Sequence, residues 1–145
     1  DASAEALARG AENAALNGYR NIEWTEADAF ESLRAYERAR RRFDLVVVDP
    51  PAFAKSKAAL AGALRGYHEI NLRAMRLLAP GGVLVTASCS FHLRRSDFVE
   101  MISAAAADSG RGLTLLRHLS PGIDHPEVVT IPETGYLKGV ALRAE

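Results

Sequence analysis

The chain has 145 residues, with 18 basic and 18 acidic side chains, four histidines, one cysteine and 48% hydrophobic residues. This composition excludes a disordered chain, and the single cysteine excludes both an internal disulfide framework and a zinc ribbon. A formal net charge of zero gives no global case for nucleic acid, so any RNA-binding face must be a local patch balanced elsewhere.

A chain of this size buries roughly 68–70% of its unfolded surface, enough for one core without staples. No apolar run approaches the length of a membrane span, and the N-terminal residues carry neither a basic region nor an apolar leader. The expectation is a single soluble, cytoplasmic domain over residues 1–145.

Residues 3–17 are alanine-rich, with Leu7, Ala11, Ala14 and Ala15 on one stripe, Ser3 as N-cap and Gly18 just past the end, which predicts a helix. Residues 21–25 read as a short strand and residues 30–40 as a second helix ending in a basic run. Residues 43–48, Phe-Asp-Leu-Val-Val-Val, lack polar alternation and predict a strand buried on both faces. Residues 57–79 carry apolar groups at a helical period and stop at Pro80-Gly81-Gly82, after which residues 83–88 form a second buried strand. Residues 95–109 predict a helix closed by Gly110, residues 113–119 a strand, 120–133 a long loop and 136–143 a last strand.

The alternation predicts an α/β fold of the Rossmann-like, doubly wound kind, a mostly parallel sheet with helices on both faces. The last two strands have no helix between them and should pair as a C-terminal antiparallel hairpin. Ligands of such sheets bind outside the carboxyl ends of the strands. The informative residues are therefore Asp28, Asp49-Pro50-Pro51, Ser88-Cys89-Ser90 and the 120–133 loop.

At the first of the buried strand ends, Asp49 is delivered to the rim and two prolines make a rigid shelf, with Phe53 as a stacking platform; a plain β–α turn is the competing reading. Cys89 is open to two readings, a small buried hydrophobe or a nucleophile facing the carboxylate on the adjacent strand end. Arg65, His92, Arg94 and Arg95 are candidates for phosphate contacts or solvated helix ends. His125 either lines the site or caps its loop, and Lys138 points to substrate or to solvent. Asp1, before the first helix, and Asp28, at the next strand end, suit ribose and adenine contacts or ordinary caps.

Together the segments DASAEALARGAENAALNG, ADAF, FDLVVVDPPAFAKSK, RGYHEINLRAMRLLAPGGVLVTASCSFHL and DHPEVVTIPETGYLKG resemble the class I S-adenosylmethionine-dependent methyltransferases. More narrowly, they resemble the bacterial 23S ribosomal RNA cytosine-C5 methyltransferases. The resemblance implies S-adenosyl-L-methionine as cofactor, with Asp1 on the ribose, Asp28 and Ala29 at the adenine, and Asp49 and Pro50 completing that side. It implies Cys89 as the nucleophile that adds to cytosine C6, with Asp49 holding the ring at N3 and the amino group. Pro51, Phe53, Lys55, Arg65, His92, His125 and Lys138 become the RNA side.

The chain departs from other RNA cytosine-C5 methyltransferases in having no second cysteine, which leaves the base for the C5 proton unassigned. The Gly-rich turn and the first two strands of the family fold are also missing, so the resemblance implies a fragment of a longer enzyme that binds cofactor poorly alone. That absence should leave an apolar edge on residues 43–48, open to a homodimer. Methylation of a guanine nitrogen without a covalent step and a non-catalytic binding or assembly module are the alternative functions.

Overall fold

The computed structural model describes residues 1–54, 56 and 58–145. The first helix, α1 (Ala4–Leu16), is capped by Ser3, whose hydroxyl accepts from the Ala6 N–H at 3.2 Å. The indole of Trp24 lies across Gly10, where a Cβ would come within 2.7 Å of the ring. Residues 21–25 are not a strand. Extended backbone needs a neighbouring ladder for its N–H and C=O groups, and this exposed stretch has no partner strand among the described residues; only the Thr25 carbonyl accepts, from the Asp1 ammonium at 3.1 Å. The chain is instead held just beyond it, where the Ala27 N–H donates to the Asp1 carbonyl at 3.0 Å.

Helix α2 (Ala29–Arg38) starts at Asp28, whose carboxylate accepts from the Glu31 N–H at 3.0 Å. It packs on α3 (Leu60–Arg76) partly through a charged lattice. Glu37 takes Arg73 at 2.7 Å and Arg76 at 3.0 Å, while Glu69 takes Arg34 and Arg73. The Arg41 guanidinium stands over the rings of Tyr36 and Phe43 at 4.7 and 5.0 Å, which fixes the turn into the sheet.

The remaining elements are β1 (Phe43–Val48), β2 (Leu78–Ser88), α4 (Arg95–Ser109), β3 (Leu113–Leu119), a 3₁₀ turn at Pro132–Tyr136, and β4 (Lys138–Ala144). The sheet order is β1-β2-β4-β3. β1 and β2 are parallel, whereas β4 runs antiparallel to both β2 and β3, so the predicted hairpin is present and its second strand is inserted beside β2. The sheet is thus mixed, with one parallel and two antiparallel pairings among the described residues.

The Pro80-Gly81-Gly82 break expected between helix and strand lies inside β2. The helix stops at Arg76, Leu78 already pairs with Phe43, and the register then jumps to Leu45 opposite Val83. Gly81 has φ +76°, and a Cβ on Gly82 would sit 2.9 Å from the Phe43 carbonyl, so two glycines let the strand kink while it stays paired.

One face of the sheet carries the core. Leu84, Thr86 and Ser88 of β2 and Val140, Leu142 and Ala144 of β4 are buried, as are Tyr67, Ile70 and Ala74 of α3 and Phe98, Met101, Ile102 and Ala105 of α4. The opposite face is poorly covered, with Leu45 58% and Val47 63% exposed on the edge strand. Residues 43–48 are thus not buried on both faces as their apolar run predicts, because helices on both faces are not equally realised; β1 also ends the described sheet, so the open apolar edge expected there is present.

Candidate active site at the strand ends

Parallel pairing of β1 with β2 brings two strand ends to the same rim. The first continues into Asp49-Pro50-Pro51 and the second into Cys89. The half-buried Cys89 thiol faces the Pro50 carbonyl, with Sγ 4.0 Å from the oxygen. Asp1, Asp28, Ala29, Asp49, Pro50, Pro51 and Phe53 line one concavity of about 530 Å³, with Val46, Val48, Phe30, Leu33 and Ile70 as its apolar floor.

Both helix-start acids have a structural duty as well. Asp28 Oδ1 caps α2, and Asp1 Oδ1 accepts from the Ser3 N–H at 2.7 Å. Each carboxylate keeps its second oxygen outside these bonds, so capping leaves an acceptor open on each. Polar acceptors around an apolar floor are what a nucleoside needs: carboxylates for hydroxyl and amino groups, and aliphatic surface for a base. The residues present fit the adenosine part of S-adenosylmethionine on this ground.

Beneath the rim lies a buried hydroxyl network that the sequence did not reveal. Tyr67, fully buried in α3, receives the Ser88 hydroxyl at 2.9 Å and meets the Ser90 hydroxyl at 2.9 Å. Ser90 in turn accepts from the Ala54 N–H at 3.1 Å, and its own N–H donates to the Ser88 hydroxyl at 3.2 Å. One phenol thereby ties the loop after β1 to the loop that carries Cys89. The visible signal was a tyrosine in an otherwise aliphatic helical stripe, together with serines on both sides of the cysteine. Phe53 packs on Tyr67 with ring centroids 4.6 Å apart and the planes tilted by 40°, adding an aromatic cover to the network.

Lys138, left open between substrate and solvent, takes neither direction. It is 3% exposed, and its ammonium donates to the Ser90 carbonyl at 2.7 Å. Burial, with Arg95 nearby, brings its pKa from 10.5 down to about 8.

The other candidates scatter. Arg65 is exposed in the groove between α3 and α4, beside His68, Glu69 and Asp97, away from the strand-end concavity. His92 packs against the exposed Phe91 ring at 5.3 Å, and His125 pairs with Asp124 at 3.2 Å on the exposed long loop. Arg94 is held by Asp97 at 2.9 Å, and Arg95 donates to the Leu119 carbonyl at 2.9 Å. Lys55 lies outside the described residues. No cluster of metal-ligating side chains occurs among the described residues, and no described helix is long and apolar enough to cross a membrane.

An α/β sheet with an acid-lined, apolar-floored pocket at its parallel strand ends is the arrangement of a Rossmann-like domain. A family model for the methyltransferase domain matches residues 1–120, and the chain belongs to this class I S-adenosylmethionine-dependent family. Proteins named ribosomal RNA large subunit methyltransferase I are similar over 99% of the chain. Identity is 47% in Aeromonas salmonicida (strain A449) and 43% in Citrobacter koseri. The chain spans 37% of the length of each.

Solved structures share the fold at low identity. SMU.776 complexed with SAH matches with a TM-score of 0.83 at 19% identity, over 99% of this chain and 37% of that one. The N-methyltransferase NodS from Bradyrhizobium japonicum WM9, also with S-adenosyl-l-homocysteine, matches at 0.60 and 16% identity, over 99% of this chain and 64% of that one.

Proposed function

We propose that this chain is part of the catalytic domain of an S-adenosylmethionine-dependent ribosomal RNA methyltransferase that acts on cytosine C5 of 23S rRNA through Cys89. The observation that carries this reading is the meeting of Cys89 with the Asp49-Pro50 turn at adjacent parallel strand ends, with the acid-lined pocket on the same rim. The relatives' printed names support large-subunit ribosomal RNA as substrate.

Asp1 would hold the ribose hydroxyls, Asp28 and Ala29 the adenine, and Asp49 and Pro50 the side of the cofactor nearest the substrate. When bound, S-adenosylmethionine supplies its methyl group as an electrophilic sulfonium substituent. Cytosine C5 is too weak a nucleophile to take it unaided. The Cys89 thiolate therefore adds to C6; the C5–C6 double bond opens, and its electron pair forms the new C5–CH₃ bond as the S–CH₃ bond breaks. The C5 proton then leaves to a base, the C5–C6 double bond reforms, and the C6–S bond breaks to return the thiolate. Asp49 would accept from the amino group and share a proton with N3, which orients the ring and stabilises the negative charge that builds up on it after addition. Pro51 and Phe53 form the apolar shelf for the target base, and Lys55, Arg65, His92 and His125 would contact the RNA backbone further out. The open edge of β1 supports pairing with a second copy.

RNA carrying 5-fluorocytosine tests the mechanism, because fluorine at C5 cannot leave as a proton and the C6 adduct is trapped. The expected result is a denaturation-resistant protein–RNA adduct that disappears in Cys89→Ser. Methyl transfer that persists in Cys89→Ser, with no adduct in the unchanged protein, would overturn the covalent reading and favour a non-covalent transfer to another base atom.

A further inference from the structure

We propose that Phe91 is a stacking platform for the RNA base next to the target nucleotide, held out beside Cys89 by a turn that is anchored at both ends. This role rests on the reading of the chain as an RNA methyltransferase and names a residue of its substrate side.

A single exposed phenylalanine is ordinary on a protein surface. Phe91, 53% exposed, differs because the chain on either side of it is firmly held. Ser90 and Leu93 are both buried, and the Leu93 N–H donates to the Ser90 carbonyl at 3.2 Å, which closes a turn with Phe91 and His92 at its apex. Every polar group of Ser90 is engaged. Its N–H donates to the Ser88 hydroxyl, its hydroxyl accepts from the Ala54 N–H and meets the Tyr67 phenol, and its carbonyl also takes the Lys138 ammonium. The apex cannot fold back to bury its ring without breaking this set of bonds. His92 meets the ring at 5.3 Å with the planes 71° apart, which orients Phe91 while leaving about half of it open to solvent.

A flat, unpaired nucleobase is what such a ring fits, because single-stranded RNA is held by stacking its bases on exposed aromatic side chains. Distance selects the nucleotide. Two residues of chain span at most about 7 Å, so a base stacked on Phe91 neighbours one held at Cys89. The charges next to the turn agree with this. Arg94 is neutralised by Asp97, whereas Arg95 enters none of the ion pairs among the described residues and donates from Nη1 to the Leu119 carbonyl. The remaining N–H groups of its guanidinium are placed to meet a phosphate of the strand whose base the ring holds.

The test measures, by fluorescence anisotropy, the binding of a short single-stranded RNA with one cytosine, and of the same RNA made abasic on one or the other side of that cytosine. The proteins are Cys89→Ser, which removes any covalent step, and Cys89→Ser carrying Phe91→Ala, Phe91→Trp or Arg95→Gln. Phe91→Ala should weaken binding of the intact RNA about tenfold, and should have little effect on the abasic RNA that lacks the stacked base. Phe91→Trp should restore the affinity. Stacking releases no counterions, so the salt dependence should be unchanged in Phe91→Ala, while Arg95→Gln should reduce its slope by about 0.7. Equal affinity of Phe91→Ala and its parent for the intact RNA, or a loss of the same size on both abasic RNAs, would overturn the platform; an unchanged slope in Arg95→Gln would overturn the phosphate contact. A Cys89→Ser chain that binds no RNA would overturn the RNA reading and the platform together. None of these results depends on trapping the fluorinated RNA, so failure of the covalent mechanism is seen separately.

Discussion

At the scale of single residues, the phenol of Tyr67 does what no strand or helix can do alone: it joins two loops whose chain positions are far apart. Its partners Ser88 and Ser90 lie 21 and 23 residues away. Hydroxyl groups buried without a partner cost about 1–3 kcal/mol. Tyr67→Phe should therefore lower stability by about 1–3 kcal/mol in urea unfolding, because the Ser88 hydroxyl loses its acceptor in a dry site. Methyl transfer should fall with it, since the loops on both sides of Cys89 are no longer tied together. This network was out of reach of sequence reasoning for a physical reason. A serine beside a cysteine has the same letter whether its hydroxyl faces water or a buried phenol. Asp49, Pro50 and Cys89 were legible because a run of buried β-branched residues announces where its strand will end.

At the scale of elements, the same carboxylate can terminate a helix and read a ligand. Asp28 Oδ1 is engaged by the Glu31 N–H, which separates the two duties experimentally. Asp28→Asn keeps an N-cap of equal quality, whereas Asp28→Ala loses about 1 kcal/mol of stability. Under the adenine reading, both should weaken S-adenosylmethionine binding about tenfold in calorimetry, and only the alanine variant should lower Tm. Helix and strand positions were largely legible, and the failures have identifiable causes. Residues 21–25 have strand-like letters but no neighbouring strand among the described residues to complete their bonds. The Pro-Gly-Gly at 80–82 has turn-like letters, but it forms an interruption inside a paired strand because Gly82 lets the Phe43 carbonyl come close.

At the scale of the whole molecule, the buried lysine should leave a mark on the pH dependence of stability. An unfolded chain keeps the Lys138 proton up to about pH 10.5, whereas the folded protein releases it near pH 8. Between these values the unfolded state binds more protons, so stability should rise with pH across the window. The cost of the charged side chain is fully present below pH 8. Its relief is at most about 3 kcal/mol by pH 10.5. Comparing the urea stability of Cys89→Ala with that of Cys89→Ala/Lys138→Met from pH 7 to 10.5 isolates this contribution without thiolate formation. The first protein should gain on the second as pH rises; parallel curves would mean that the lysine is not desolvated.

The indole lying across Gly10 gives the molecule an internal optical reporter. Trp24 is the chain's one tryptophan, and its ring sits on the first helix in the segment that leads to Asp28. Its emission therefore reports whether that helix is docked, and it does so without a label. Asp1 and Asp28 lie at opposite ends of this stretch and line one concavity. The side chain that packs on the first helix thus makes the docking of the segment beside that concavity visible by fluorescence.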